Sequence, residues 1–267
     1  MPVLVKLEQL VKNFDKGLHN FYTNDKASFS WFRKGPCSYF HIRTITRLRN
    51  LLYQYDSYAQ VCNDKEYTEL LYATLTAWGM NRIGGGPKLQ DFEKFCDNLR
   101  NNDLIKTLDS LKGTKLISID DLELKKLMER VRAAYEYLAK ENRVMKSGKA
   151  IVGVSKTLHH LLPDLLVPVD KTRIINFLHN LKEEDYRPSN GPKNYDSFEN
   201  YWKCIKVSHY IARSFAEGGI REPSEWTTRT SDFQIKNRLM DTSIPKMIDN
   251  ALLGLSETIK TSHQNLG

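Results

Sequence analysis

Apolar residues along this chain recur mostly at steps of three and four, the spacing of a single helix face. Leu4, Leu7, Leu10, Val11, Phe14, Leu18 and Phe21 follow it. Leu70, Leu71, Leu75 and Trp78 repeat it until Gly84-Gly85-Gly86-Pro87 interrupts. Leu89, Phe92, Phe95, Cys96 and Leu99 form the next stripe. Ser118 with Asp121 three residues later predicts a capping box. A long amphipathic helix through Leu124, Leu127, Met128, Val131, Tyr135 and Leu138 should follow. Phe198, Tyr201, Trp202, Ile205, His209, Ala212 and Phe215 predict another, ended by Gly218-Gly219. Ser243 is placed to cap a last helix through Leu255, with Pro245 in its first turn. No run alternates at period two for long. The expected fold is all-α, with loops near residues 25–40, 84–88, 184–194 and 219–243 and no internal repeat.

Composition narrows the class. The chain's 267 residues suffice for one large domain or two closely joined lobes. An apolar content of 40%, rich in Tyr and Phe, argues for a packed core and against disorder. Lys and Arg exceed Asp and Glu, 40 to 32, for a net charge of +8. That balance favours a polyanionic partner without identifying one; the rival reading is a soluble protein that happens to be basic. No window approaches the uninterrupted apolar length of a membrane helix, so no membrane partner is expected. The opening MPVLVKLEQLVKNF has no signal-peptide apolar block, and the expected location is cytoplasmic. Cys37, Cys62, Cys96 and Cys204 form no Cys-x-x-Cys pair, which speaks against a zinc site or a four-cysteine cluster. Neither a metal nor a cofactor is expected, and the chain is expected to be a monomer.

The densest chemistry lies between Ser147 and Phe177. Gly153-Val154-Ser155 reads as a tight apolar turn whose amides could face a phosphate. Lys156 follows at once, as if opening a short helix. Asp170, after Leu166-Val167-Pro168-Val169, stands where the next helix should start. A lysine and an aspartate on two helix starts suit attack on the sugar of a nucleotide. Lys146 and Lys149 beside Gly153 and Ser155 read as a phosphate clamp, or else the segment is an ordinary helix–helix turn. Asp170 is a catalytic carboxylate or an N-cap, and the two roles are compatible.

These residues resemble the signature of the helix-hairpin-helix DNA glycosylases, in which a hairpin near Leu-Pro-Gly-Val-Gly leads into a helix and a loop ending Pro-Val-Asp supplies the catalytic aspartate. Val167-Pro168-Val169-Asp170 is similar to that end, and Ile151 to Ser155 to the hairpin, with Ser155 in place of the second glycine. The resemblance spans about residues 65–215. It implies a two-lobed helical glycosylase-like fold, with a core over 61–217 between an N-terminal helix and basic, aromatic segment (1–60) and a C-terminal helical extension (218–267). It further implies DNA as partner, a flipped base, Asp170 as catalytic carboxylate and Lys156 as nucleophile or phosphate contact.

Residues 26–55 contain no acid. Arg33, Arg43 and Arg47 are interleaved there with Trp31 and Tyr39. Cations track a nucleic-acid backbone and aromatics stack on unpaired bases; the rival reading makes the aromatics core and the arginines a solvated face. Trp78 and Trp202 read either as further walls of a base pocket or as core. The expected activity is hydrolysis of the N-glycosidic bond of a damaged or modified base, in repair or in attack on modified foreign DNA. A non-catalytic helix-hairpin-helix DNA-binding protein and a helical protein-interaction module are the alternatives.

Overall fold

A computed structural model of the chain describes residues 4–23, 36–80, 88–140, 143–146, 150–189, 196–227 and 243–264. The described residues are mostly helical and form no β-strand, only two isolated bridges, Val5 with Leu181 and Leu89 with Met145. The helices are α1 (Leu7–Lys12), α2 (Phe14–Thr23), α3 (Pro36–Gln54), α4 (Tyr58–Asn63), α5 (Lys65–Leu75), α6 (Phe92–Leu99), α7 (Asn102–Leu111), α8 (Asp121–Ala139) and α9 (Ala150–Leu161). A three-residue α10 (Asn176–Leu178) precedes α11 (Phe198–Glu217), α12 (Pro223–Thr227) and α13 (Ile244–Gln264). Five-residue π-turns occupy Thr76–Met80 and Lys171–Ile175, and a 3-10 turn Glu184–Tyr186. Contacts group the chain into two compact units: Met1–Gly35 with Lys115–Ser118 and Val169–Gly267, and Pro36–Thr114 with Ile119–Pro168. The chain passes between the units after Gly35, on either side of Lys115–Ser118 and after Pro168.

In the first unit, the apolar stripe from Leu4 to Phe21 is split into two helices at Asn13, whose side-chain amide donates to the Gln9 carbonyl at 2.8 Å. Phe14 faces inward and meets Phe215 and Trp226 edge-on, with ring centroids 4.5 and 5.0 Å away. The most extensive contact is between α2 and α13. It depends on two glycines. A Cβ on Gly254 would overlap the Gly17 carbonyl oxygen and lie 2.9 Å from the Phe21 nitrogen, so the two backbones touch with no side chain between them. The helix α11 ends as its sequence predicts, at Gly219 with φ of 80°. Ser243 caps α13, accepting the Lys246 amide on Oγ at 3.3 Å.

In the second unit, α9 is surrounded by α3, α5 and α8. Its apolar series Ile151, Val154, Leu158 and Leu161 is fully buried. Its last carbonyls end inside the core, where the Tyr67 hydroxyl donates to the His160 carbonyl at 3.0 Å and the Tyr58 hydroxyl donates to that of Leu161. The predicted capping box of α8 is displaced by two residues. Asp120, not Ser118, caps the Glu123 amide at 2.8 Å, and the Glu123 carboxylate accepts the Asp120 amide at 3.0 Å. Ser118 belongs to the turn before it.

Ala in a helix interior is ordinarily favoured over Gly by about 1 kcal/mol. At Gly254 the backbone overlap reverses the sign. Gly254→Ala is expected to destabilise the protein by about 2–3 kcal/mol, the upper part of the overpacking range, because backbone rather than a flexible side chain must give way. Urea unfolding measures it; a neutral or stabilised variant would mean that α2 and α13 do not meet so closely.

Candidate functional site

Asp170 and Lys156 fall in different units, since the chain passes from one to the other between Pro168 and Val169. Asp170 is reached through Leu166, Val167, Pro168 and Val169, all buried. It has extended dihedrals (φ −93°, ψ 116°) and opens the π-turn Lys171–Ile175 as its N-cap. Its Oδ1 accepts the Arg173 amide at 3.1 Å, and its Oδ2 lies 3.8 Å from the Arg173 guanidinium. A negative group at a helix start is stabilised by the first-turn amides. Its side chain keeps 31% exposure, so a ligand can reach an anchored carboxylate. The turn packs against α13.

The tight turn expected at Gly153-Val154-Ser155 is not there. These residues lie within α9, as does Lys156, which therefore does not open a helix. Two causes are visible. The buried apolar series continues straight through the segment. The glycine serves packing, because a Cβ at Gly153 would lie 2.7 Å from the Met145 Cγ. Ser155 is fully buried and its hydroxyl donates to the Val152 carbonyl at 3.3 Å, so neither residue presents a phosphate cradle. Lys156 instead places its ammonium 5.2 Å from the Trp78 ring centroid. Trp78 stands on the π-turn Thr76–Met80, and His160 and His159 pack beside it at centroid distances of 4.8 and 6.5 Å. His159 Nδ1 is 2.8 Å from the Leu166 carbonyl; a carbonyl only accepts, so this nitrogen carries the proton. The structure thus joins Lys156 to Trp78, a pairing that sequence spacing does not reveal.

The remaining candidates are dispersed. Lys146 is exposed and pairs with Asp91. Arg43 is exposed on α3, while Arg47 binds the Glu66 carboxylate through two hydrogen bonds of 2.6 and 2.8 Å. Trp202 is half-buried on α11 and stacks on Phe198 at 5.8 Å. Trp31, Arg33 and Lys149 lie outside the described residues, and of Tyr39 only the backbone, on α3, is described. Sequence reasoning missed Lys88 and Asp91, which lie beside Lys146, and Lys94, which lies near Asp91. The available signal was a lysine directly after Gly84-Gly85-Gly86-Pro87, but its neighbours are set by pairing with a distant segment.

Among the described residues, no three His, Cys, Asp or Glu side chains gather as a metal ion would need, and no helix is long and apolar enough to cross a membrane. Comparisons with known proteins add no identification: no protein-family model matches the chain, and no curated protein or solved structure is significantly similar. Burial pushes the thiols of Cys62 and Cys204 up to about 12 and raises that of Cys96. A thiol reagent at pH 8 is therefore expected to leave these three unmodified in the native protein and to label them after unfolding, as read by peptide mass. Rapid native labelling of any of them would show that thiol to be less deeply buried than the structure has it.

Proposed function

We propose that this protein is a DNA glycosylase, with Asp170 as the carboxylate that serves hydrolysis of the N-glycosidic bond of a damaged or modified base. The observation that carries the reading is the anchored, partly exposed Asp170 carboxylate at the end of its Val-Pro-Val approach. In the reaction the bond from the deoxyribose C1′ to the base nitrogen breaks, and its electron pair leaves with the base. Water bonds to C1′ and gives up a proton, and the base gains one. A carboxylate beside C1′ stabilises the positive charge that builds on the sugar and takes the water's proton. The basic balance of the chain suits the polyanionic substrate. Repair of altered bases and attack on modified foreign DNA share this chemistry, so the substrate panel must span both.

Lys156 supports the water mechanism over an amine nucleophile. A ring face attracts the ammonium, whereas attack on the sugar needs the neutral amine. The product should then be intact abasic DNA, without a borohydride-trappable adduct. A second reading, a DNA-binding protein without catalysis, is favoured by the hydrogen bond from the Arg173 amide to Asp170, which gives that carboxylate a capping role without chemistry.

Incubation with modified duplexes and phage DNAs, followed by mass detection of free base, separates the two. Wild type is expected to release base from at least one substrate. Asp170→Asn keeps the size and part of the cap, and should lower release about 100-fold or more with duplex affinity unchanged. Unimpaired turnover in that variant would leave Asp170 as a cap only. Salt-sensitive binding with no release from any substrate would establish the non-catalytic reading.

A further inference from the structure

We infer that the lysines gathered around Asp91 form a docking surface for a nucleic-acid backbone, and that Asp91 stands in for a phosphate there while none is bound. The inference rests on DNA as the partner but not on catalysis. The surface is built by pairing of two distant segments in the second unit. The Gln90 amide donates to the Val144 carbonyl at 2.8 Å and the Lys146 amide to the Lys88 carbonyl at 2.9 Å, which sets Lys88 and Lys146 side by side. Lys94, near the start of α6, lies close enough to Asp91 to favour its charge, and Lys146 pairs with it directly. All four side chains are exposed; two of the cations, Lys146 and Lys94, act on the Asp91 carboxylate, and Lys88 stands beside Lys146.

The behaviour of Asp91 carries the argument. It occupies the N-cap of α6, where an aspartate ordinarily accepts the amides of its own first turn. It accepts none of them, and its carboxylate turns to Lys146 instead. An exposed ion pair is usually worth no more than a cap. The carboxylate is therefore drawn off the cap by the combined field of the lysines, and the same field is open to an external anion. Among the described residues the large apolar side chains that are exposed are Leu4, Tyr53 and Leu122, none of them at this cluster. The surface thus lacks the apolar anchor that a membrane or protein contact would use, and suits a sequence-independent contact with successive phosphates.

The test uses the full-length chain and a short unmodified duplex, with affinity read by fluorescence anisotropy over a salt series. Asp91→Asn and Lys146→Ala both remove the same ion pair, so simple loss of structure would move them alike. The inference expects opposite signs. Asp91→Asn should bind about three- to tenfold more tightly at low salt. Lys146→Ala, Lys88→Ala and Lys94→Ala should each bind more weakly, flattening the log–log salt slope by about 0.9 for each phosphate no longer neutralised. Asp91→Asn binding no better than wild type, or lysine variants binding like wild type, would overturn it. So would preference for phosphatidylserine vesicles over duplex. A wild-type chain that binds duplex without these mutational signs sinks this surface and leaves Asp170 chemistry standing; one with no salt-sensitive affinity removes both.

Discussion

The carboxyl end of α9 finishes inside the core of the second unit, where its terminal carbonyls have no water to bond. An orphaned buried carbonyl costs about 1–3 kcal/mol. Tyr58 and Tyr67, both buried, supply the missing donors from α4 and α5. Burial raises both phenols well above their ordinary range, so they remain donors at any ordinary pH. These bonds set the position of α9 against α5, and much follows from that. The helix α5 runs directly into the π-turn that carries Trp78, and Lys156 sits on α9 about one turn before the capped end. The Lys156–Trp78 contact is thus held by two helices whose relative placement the phenols maintain. Further up, Gly153 lets Met145 close against α9, and Met145 belongs to the bridge that aligns Lys88 with Lys146.

Both π-turns follow or precede residues of chemical interest: one holds Trp78, and the other is capped by Asp170. Such turns are rare and re-aim side chains that a regular helix would direct elsewhere. Each lies within its own unit and is supported there, the first by the α9 cluster and the second by α13.

The sequence was most legible where one helix buries one continuous face. The limits of α11, from Phe198 to its terminal glycines, and the Ser243 cap of α13 follow from local chemistry. Asp170 as a helix start was legible for the same reason. Legibility failed wherever a distant contact decided the outcome. Gly153 has the local mark of a turn, but its glycine answers to Met145 and the helix runs through it. Ser118 and Asp120 are both good caps, and only tertiary placement chooses between them. Asp91 looks like a cap and is one by backbone position, yet a strand-like pairing some fifty residues away claims its carboxylate. Lys156 could not be placed against Trp78 from spacing, because nothing local encodes how α5 and α9 meet.

The glycine contact between α2 and α13 has a consequence for how the chain is made. Gly17 emerges from the ribosome roughly 240 residues before Gly254, a wait of about ten seconds or more at ordinary synthesis rates. The second unit, residues 36–114 with 119–168, has all its helices before α13 exists. Phe14 can meet Phe215 and Trp226 once α11 and α12 are made, but the part of the α2 face that α13 covers has no partner throughout that interval. Nascent chains of this protein therefore carry a partly uncovered hydrophobic face on α2 until α13 has been made, which is the kind of segment that chaperones hold.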